Sequence, residues 1–265
     1  MIFDYIFMRY AFAAVILIAV MTPFIGNVIV LKRLSAVGDA LSHMGLAGIA
    51  IGVFAGINPV FMAVIASILA AVLMEFFRAA FKRYSEISTA IVMSAGLGLA
   101  AVFSGLAQDS AGFNSYLFGS VLLVTLPEIA VLFALAIVVI LINIIFYKQL
   151  MYITFDEESA KLSGIKTRLL NISFNILTAI IVSVSIKTVG VLLISSLIIL
   201  PAACAMQVSR SYRSNLIISV VFALLISIGG LATAFYADLR PSGTIALIGL
   251  AILLVLIILR KKFKS

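Results

Sequence analysis

The feature that most constrains this chain is the recurrence of apolar runs about 20 residues long, from one end of the sequence to the other. A run of this length crosses the hydrocarbon core of a bilayer as a helix. Only 11% of the 265 residues are charged and the mean hydropathy is +1.32, values that a water-soluble fold does not accommodate. No polar stretch is long enough to enclose a core of its own. The sequence therefore predicts a single all-α, polytopic domain over residues 1–265, a multi-pass protein of the cell membrane.

Hydrophobic windows predict nine membrane-spanning helices, with eight as the alternative. The predicted spans are 11–31, 37–57, 59–77, 88–106, 127–147, 169–187, 189–206, 214–236 and 243–259. The weakest boundary lies between the sixth and seventh spans, where only "SIKTVG" interrupts the apolar sequence. A discontinuous or re-entrant pair of helices is the alternative at that boundary.

The basic residues predict the orientation of the chain. There are 18 Lys and Arg against 10 Asp and Glu, which gives a net charge of +8. With nine spans, all of these cations except Arg9, Lys187 and Arg240 fall on the side that also holds the C-terminal "RKKFKS". The positive-inside rule assigns that side to the cytoplasm and places the N-terminus outside. Membrane orientation thus accounts for the charge, and no nucleic-acid partner is predicted.

Two segments are too polar or too short to span the membrane. Residues 107–126 lie outside under this orientation and predict a short interfacial helix. Residues 152–168 are the most polar stretch of the chain and lie in the cytoplasm. Asp156 is placed to cap a helix there, and Gly164 is placed to end it. The segment predicts a short amphipathic helix, with a solvated loop as the alternative.

Asp39 and His43, the only histidine of the chain, form the one candidate site for chemistry. Four residues on a helix place both side chains on one face, one turn apart. A carboxylate oxygen and an imidazole nitrogen suit divalent ions such as zinc, manganese or ferrous iron. An interfacial ion pair near Lys32 and Arg33 is the alternative. The surrounding helix is rich in small residues, which allow close helix packing around a passage. These residues are Gly38, Ala40, Ser42, Gly45, Ala47, Gly48 and Gly52.

Five sequence blocks resemble the permease subunits of bacterial ABC importers for zinc, manganese and iron. The blocks are "VGDALSHMGLAGIAIG" (37–52), "TAIVMSAGLGLA" (89–100), "SYLFGS" (115–120), "DEESAKLSGI" (156–165) and "VGVLLISSLIILPAACA" with the "SRSYRS" that follows it (189–214). They occur in the order of that family, and the resemblance covers nearly the whole chain. The family commonly has a proline where this chain has Ala47, so we expect a less kinked helix after His43.

The resemblance implies a homodimeric prokaryotic permease with two cytoplasmic ATPase subunits and an extracytoplasmic metal-binding protein as partners. It implies that Asp39 and His43 contact the transported ion, which is zinc, manganese or iron in that family, and that the chain holds no intrinsic cofactor. It also implies that residues 156–165 form the coupling helix that docks on the ATPase. The docking residues predicted there are Asp156, Glu157, Ala160 and Gly164.

Other functions fit the sequence less well. The chain has no G-x-x-x-x-G-K loop, so ATP hydrolysis is assigned to a partner and the chain itself is not an enzyme. A metal transporter driven by an ion gradient is the alternative, but we find no pair of similar halves. An intramembrane hydrolase would need a serine aligned with His43, and Ser42 points about 100° away on a helix. The single cysteine, Cys204, excludes intrachain disulfides and a cysteine-based zinc site. Glu75 is interpreted as an interfacial charge, and Asn175 as a residue that satisfies contacts between helices.

Overall fold

A computed structural model describes residues 4–81, 84–106 and 110–264. In that part of the chain every regular element is a helix. The elements are α1 Ile6–Leu31, α2 Ala36–Ala55, α3 Pro59–Ala80, α4 Ser85–Leu106, α5 Ser110–Phe118, a 3-10 turn at Val121–Leu123, α6 Leu126–Ile145, α7 Tyr147–Phe155, α8 Glu157–Leu162, α9 Thr167–Val189, α10 Val191–Val208, α11 Tyr212–Tyr236 and α12 Pro241–Lys264. Nine helices of the described residues are long and apolar enough to cross a membrane, which confirms the predicted all-α polytopic fold.

The structure adds one helix that the sequence did not predict. The segment α7 follows α6 after a single break at Phe146. Its nine residues bury one face through Leu150, Ile153 and Thr154, and most of its other residues are polar or aromatic. A hydropathy window of about 20 residues does not detect an amphipathic helix of nine residues. The predicted polar segment at 152–168 therefore starts after α7 has begun. Of the predicted interfacial segment, residues 107–109 lie outside the described residues, and α5 and the 3-10 turn occupy most of the rest.

The helix α2 lies at the centre of the bundle, and glycines allow its neighbours to approach. A Cβ at Gly48 would lie 2.7 Å from the Cα of Ala63 on α3. A Cβ at Gly96 of α4 would lie 2.8 Å from the carbonyl carbon of His43. These distances are too short for any side chain, so the backbones of the two helix pairs are in direct contact. The helix runs unbroken past Ala47, which is fully buried, as expected without a proline there.

The chain reverses direction at Gly190, between α9 and α10. Gly190 has φ +91° and ψ 155°, a conformation that is essentially restricted to glycine. Its backbone packs against that of Gly119, where a Cβ would lie 2.3 Å from the carbonyl carbon of Val189. The N–H of Ser120 donates to the carbonyl of Lys187 at 3.0 Å. The predicted weak boundary is therefore a sharp turn between two full spans, held by α5.

Hydrogen bonds identify the helix ends that share one face of the bundle. Asn171, near the start of α9, accepts from Lys32 at the end of α1. Asn215, near the start of α11, donates to Asn27 in the last turns of α1 and accepts from Ser209, which follows α10. We call this face, where α1 and α10 end and α9 and α11 begin, the basic end. Its assignment to the cytoplasm stays a prediction.

Candidate metal centre

Asp39 and His43 lie on α2, one turn apart, close to its start at the basic end. Asp39 is in the first turn of α2, where the partial positive charge of the helix terminus stabilises a carboxylate. Both side chains are half-buried. The structure thus places both residues on one helix, neither of them fully exposed, and their role as metal ligands stays a prediction.

His43 has unused hydrogen-bonding capacity. Its Nδ1 atom is buried and has no hydrogen-bond partner among the residues that the structure describes. A buried polar atom without a partner is uncommon and is costly unless something occupies it. The imidazole is therefore free to present a nitrogen to a ligand that the chain itself does not supply.

Two serines, Ser42 and Ser67, donate their hydroxyl protons to backbone carbonyls of α2. The Ser42 hydroxyl donates to the carbonyl of Asp39 at 2.8 Å and is fully buried. The Ser67 hydroxyl of α3 donates to the carbonyl of Leu41 at 3.1 Å. The second bond joins α3 to α2 and so helps to set the rotation of α2, and with it the direction in which Asp39 and His43 project.

Among the residues that the structure describes, one copy of the chain brings two candidate side-chain ligands, Asp39 and His43, to this position. No group of three or more His, Cys, Asp or Glu side chains that could hold a metal occurs within residues 4–81, 84–106 and 110–264. Two ligands hold a transition metal weakly, whereas structural zinc sites use four. The arrangement suits an ion that passes through, or a site completed by another molecule.

The predicted docking residues have different roles in the structure. Asp156 caps α8: its carboxylate accepts from the Ser159 N–H at 2.9 Å and from the Ser159 hydroxyl at 2.5 Å. These bonds hold the pKa of Asp156 below its ordinary value. Gly164 ends the segment with φ +84°, as the sequence predicts. Ala160 is fully buried against the core of this chain, which corrects the expectation that it faces a partner. A six-residue helix has too few residues for the sequence to show which face it buries.

Glu157 is tied to the membrane helices, a role that sequence reasoning missed. Its carboxylate accepts from Lys32 at 3.1 Å and from the Asn171 amide at 2.7 Å. The Asn171 side-chain oxygen accepts from Lys32 at 2.8 Å, which closes a triangle between α1, α8 and α9. Burial lowers the pKa of Lys32, and the attraction to Glu157 opposes that shift. The triangle fixes α8 to the basic end. No local pattern could reveal it, since its members are up to 139 residues apart.

Three further polar contacts engage charged and amide side chains, among them Glu75, which the sequence predicts to be an interfacial charge, and Asn175, which it predicts to satisfy contacts between helices. Glu75 is 8% exposed and pairs with Arg78 one turn on, at 2.9 Å. Asn175 of α9 donates to the same carboxylate at 3.4 Å. At the opposite end of the bundle, Lys187 donates to Glu128 at the start of α6. All of these residues are thus engaged in contacts within the bundle.

Comparison with known proteins places the whole chain in one family. The model of the ABC 3 transport family matches residues 4–261. A probable metal transport system membrane protein of Treponema pallidum is 36% identical over 258 residues, which cover 97% of this chain and 96% of that protein. The high-affinity zinc uptake system membrane protein ZnuB of Haemophilus influenzae is 29% identical over 93% of this chain and 95% of its own length.

A solved structure agrees with these relatives. PsaBC from Streptococcus pneumoniae, in complex with Fab, contains a chain that superposes with a TM-score of 0.86 at 25% identity. The match covers 96% of this chain and 92% of that one. Together with the nine apolar helices, the relatives identify a multi-pass protein of the cell membrane. The chain belongs to the ABC 3 transport family.

Proposed function

We propose that this chain is the membrane permease of an ABC importer that moves a divalent transition metal ion, zinc or manganese, into the cytoplasm. The observation that carries the proposal is the Asp39 and His43 pair on α2, with a buried Nδ1 that has no partner among the described residues. The family match over residues 4–261 supports the transport class. The relative named for zinc uptake supports the class of substrate.

A dimer of the chain supplies the ligands that one copy lacks. A twofold axis repeats every residue, so a dimer whose axis passes close to α2 would bring two carboxylates and two imidazoles to a shared passage. Four such ligands complete the coordination shell of an ion that prefers tetrahedral geometry, whereas two ligands bind it weakly.

Asp39 and His43 are tested by separate alanine substitutions. Asp39→Ala and His43→Ala are each expected to abolish uptake of radioactive zinc or manganese, while the chain still reaches the membrane in normal amounts. The matched control is Asp238→Asn, which removes an exposed carboxylate at the opposite end of the bundle and keeps a side chain that tolerates its positive φ. Uptake at the wild-type rate in either alanine variant would contradict the assignment.

The choice between zinc and manganese needs competition, because an aspartate and a histidine accept both ions. Uptake of one labelled ion is measured in the presence of an excess of the other, and of ferrous iron. The transported ion is the one whose unlabelled form suppresses uptake at the lowest concentration.

We propose that the energy comes from a cytoplasmic ATPase subunit that binds at α8, and that an extracytoplasmic metal-binding protein delivers the ion. Within α8 the surface available to the ATPase is formed by Glu158, Lys161 and Leu162, which are exposed while Ala160 is covered. Leu162 is 89% exposed, a high value for a large apolar side chain in a polar segment. It is the anchor that we expect to enter the partner.

A charge at Leu162 tests the docking. Leu162→Glu is expected to reduce copurification of the ATPase at least tenfold, because a buried apolar anchor contributes about 2 kcal/mol or more to an interface. Lys148→Glu on the neighbouring α7 is the control, since it also introduces an exposed glutamate at the basic end. Equal copurification of the two variants would place the docking surface elsewhere.

Transport driven by an ion gradient is the competing function, and family membership weighs against it. The two functions differ in one measurement. Cells that lack the ATPase, or carry it with an inactive ATP site, are expected to lose uptake through this chain entirely. Uptake that persists there and collapses with an ionophore would establish the competing function.

A further inference from the structure

The triangle of Lys32, Glu157 and Asn171 lies between the segment α8 and the connector that leads from α1 to α2. Lys32 is the C-cap of α1, and α2 begins four residues later, at Ala36. The Lys32 ammonium group donates to the Glu157 carboxylate at 3.1 Å and to the Asn171 side-chain oxygen at 2.8 Å. The triangle therefore bonds α8 to the chain immediately before the helix that carries both candidate metal ligands.

The connector between α1 and α2 has little slack. Only residues 33–35 separate Lys32 from α2. The N–H groups of Lys32, Arg33 and Leu34 donate to carbonyls in the last turn of α1, at 3.0, 3.0 and 2.9 Å. The N–H of Val37 donates to the carbonyl of Leu34 at 2.9 Å. Arg33 has φ +61°, in the left-handed region where glycine is preferred, and this conformation closes the turn. A connector bonded in this way moves with Lys32.

Hydrogen bonds to charged groups give the triangle a defined geometry. Such bonds are directional, so Glu157 holds one position relative to Lys32 and Asn171. The apolar contact that α8 makes through the buried Ala160 has no preferred direction. A partly buried ion pair adds little net stability compared with apolar side chains of similar size. The triangle is therefore explained by the position that it gives α8 rather than by added stability.

We propose that Lys32, Glu157 and Asn171 are positioning residues that couple movement of α8 to the first two turns of α2, where Asp39 and His43 lie. The coupling rests on the proposed function, because it requires an ATPase that docks on the exposed face of α8. A displacement of α8 carries Glu157 with it. Lys32 follows, because its separation from Glu157 would leave a largely buried ammonium group without a counter-charge. The connector then moves the start of α2, and with it both candidate ligands.

A second route from the basic end to α2 runs through α3. Asn175, one turn after Asn171 on α9, donates to Glu75 of α3 at 3.4 Å. The Ser67 hydroxyl, on the same helix as Glu75, donates to the carbonyl of Leu41 on α2 at 3.1 Å. These bonds join α9, α3 and α2, and the route starts on α9 rather than on α8. Loss of the Asn175 amide should therefore leave the coupling of α8 to α2 intact.

The test compares metal transport with ATP hydrolysis in proteoliposomes that contain the full-length chain, its ATPase and the metal-binding protein. Labelled zinc and labelled manganese are each assayed, and the measured quantity is the number of ions taken up per ATP hydrolysed. Glu157→Lys and Lys32→Glu should each lower this ratio at least about fivefold, the lower end of typical coupling between sites. The ATPase should stay bound and continue to hydrolyse ATP, because the exposed face of α8 is unchanged.

Reversal of the ion pair is the decisive comparison. The double variant Lys32→Glu, Glu157→Lys places a carboxylate on the connector and an ammonium group on α8. The Asn171 amide accommodates both, because its oxygen accepts, its nitrogen donates, and a half rotation of the side chain exchanges the two. The number of ions taken up per ATP should recover most of its wild-type value in the double variant.

Two milder variants remove a member of the triangle without adding a like charge, and they decide the question if charge reversal prevents folding. Glu157→Gln and Asn171→Leu should each lower the ratio of uptake to hydrolysis by a smaller factor. The control for the first is Glu128→Gln, which removes a carboxylate from the Lys187 ion pair at the opposite end of the bundle. The control for the second is Asn175→Leu. Both controls should keep the wild-type ratio.

Several results would overturn the coupling while leaving the proposed function intact. If uptake and hydrolysis fall in equal proportion in the triangle variants, the triangle only holds α8 in the fold. If the reversed pair does not recover the ratio, the ion pair is not the link. A ratio lowered by Asn175→Leu but not by Asn171→Leu would assign the link to α3. Loss of the ATPase from Glu157→Gln would mean that the triangle presents α8 for docking and does not couple it to α2.

Failure of the proposed function gives a different result. In that case the wild-type proteoliposomes take up neither zinc nor manganese when ATP is supplied, and the coupling is rejected together with the function. ATP-driven uptake by the wild type, with an unchanged ratio in every triangle variant, rejects the coupling alone.

Discussion

Gly96 determines how closely α4 approaches the candidate metal ligands. It lies against the backbone of His43 and Met44, with no room for a Cβ atom. We expect Gly96→Ala to push α4 away from α2, to lower the stability of the chain by about 1–3 kcal/mol and to reduce metal uptake. The stability change is measured as a shift of the thermal midpoint in detergent, and the uptake with labelled metal in cells.

Gly98 provides the control for that substitution. It lies on the same helix two residues on, and a Cβ there would have no atom of the chain within 4 Å. Gly98→Ala should leave both measurements unchanged or raise stability slightly, because alanine favours a helix over glycine. If Gly96→Ala and Gly98→Ala change the thermal midpoint and the uptake equally, the close contact between Gly96 and His43 is not needed for either.

The left-handed backbone conformation of Arg33 predicts how the stability of the chain changes when this residue is replaced. Arg33→Gly should raise the thermal midpoint, since it removes a left-handed strain of about 1 kcal/mol. Arg33→Val should lower it, because a β-branched residue tolerates this conformation least. A thermal midpoint that is the same for glycine, arginine and valine would contradict the strained conformation described for this position.

At the scale of elements, the triangle that anchors α8 predicts a pH dependence. Glu157→Gln leaves the ammonium group of Lys32, whose side chain is only 10% exposed, without its counter-charge. We expect a loss of about 1 kcal/mol at neutral pH, modest because Glu157 is half exposed. Burial lowers the pKa of Lys32, and the variant no longer opposes that shift. Relative to the unfolded state, the folded state of the variant then favours the neutral amine.

The sign of the effect follows from that preference. As pH rises through the lowered pKa of Lys32, the folded chain loses the proton before the unfolded chain does, so the stability lost by Glu157→Gln should return. Thermal midpoints of the variant and the wild type should converge between neutral pH and the ordinary lysine range near ~10. The double variant Lys32→Met, Glu157→Gln should show no such recovery. A constant difference across this range would mean that Lys32 is not the group responsible.

The elements that the sequence predicts well are those with strong local signals. Spans of about 20 apolar residues are visible because a bilayer demands that length. Asp156 and Gly164 mark the ends of α8 because capping and a positive φ depend on single residue types. The pair Asp39 and His43 is visible because a helix repeats its faces at a spacing of four.

The elements that the sequence does not reveal depend on contacts distant along the chain. The hydrogen bond between Lys32 and Glu157 joins residues 125 positions apart. The turn at Gly190 depends on Gly119, which no local rule connects with it. The inward face of Ala160 depends on which side of a very short helix meets the bundle. In the dimer that we propose, the remaining metal ligands come from the second copy, which no pattern within one chain can show.

At the scale of the whole molecule, the basic end predicts the orientation in the membrane. The native cysteine Cys204 is buried, so the labelling of a single introduced cysteine can be measured without interference from it. We expect Asp238→Cys, exposed at the opposite end, to react with a membrane-impermeant maleimide in intact cells. Lys148→Cys should react only after the cells are permeabilised. The reverse pattern would invert the topology and move α8 away from any cytoplasmic ATPase.

The helix α9 connects the two opposite ends of the helix bundle, which a whole bilayer separates. One of its ends is bonded to the segment after α5, through the Ser120 N–H and the Gly119 to Gly190 contact, and the other carries Asn171 beside α8. Its 23 residues make a rod about 35 Å long. A rod held at both ends has little freedom to shift at one end alone. A displacement imposed at either surface is therefore felt at the other without any change in the fold of the helices between them.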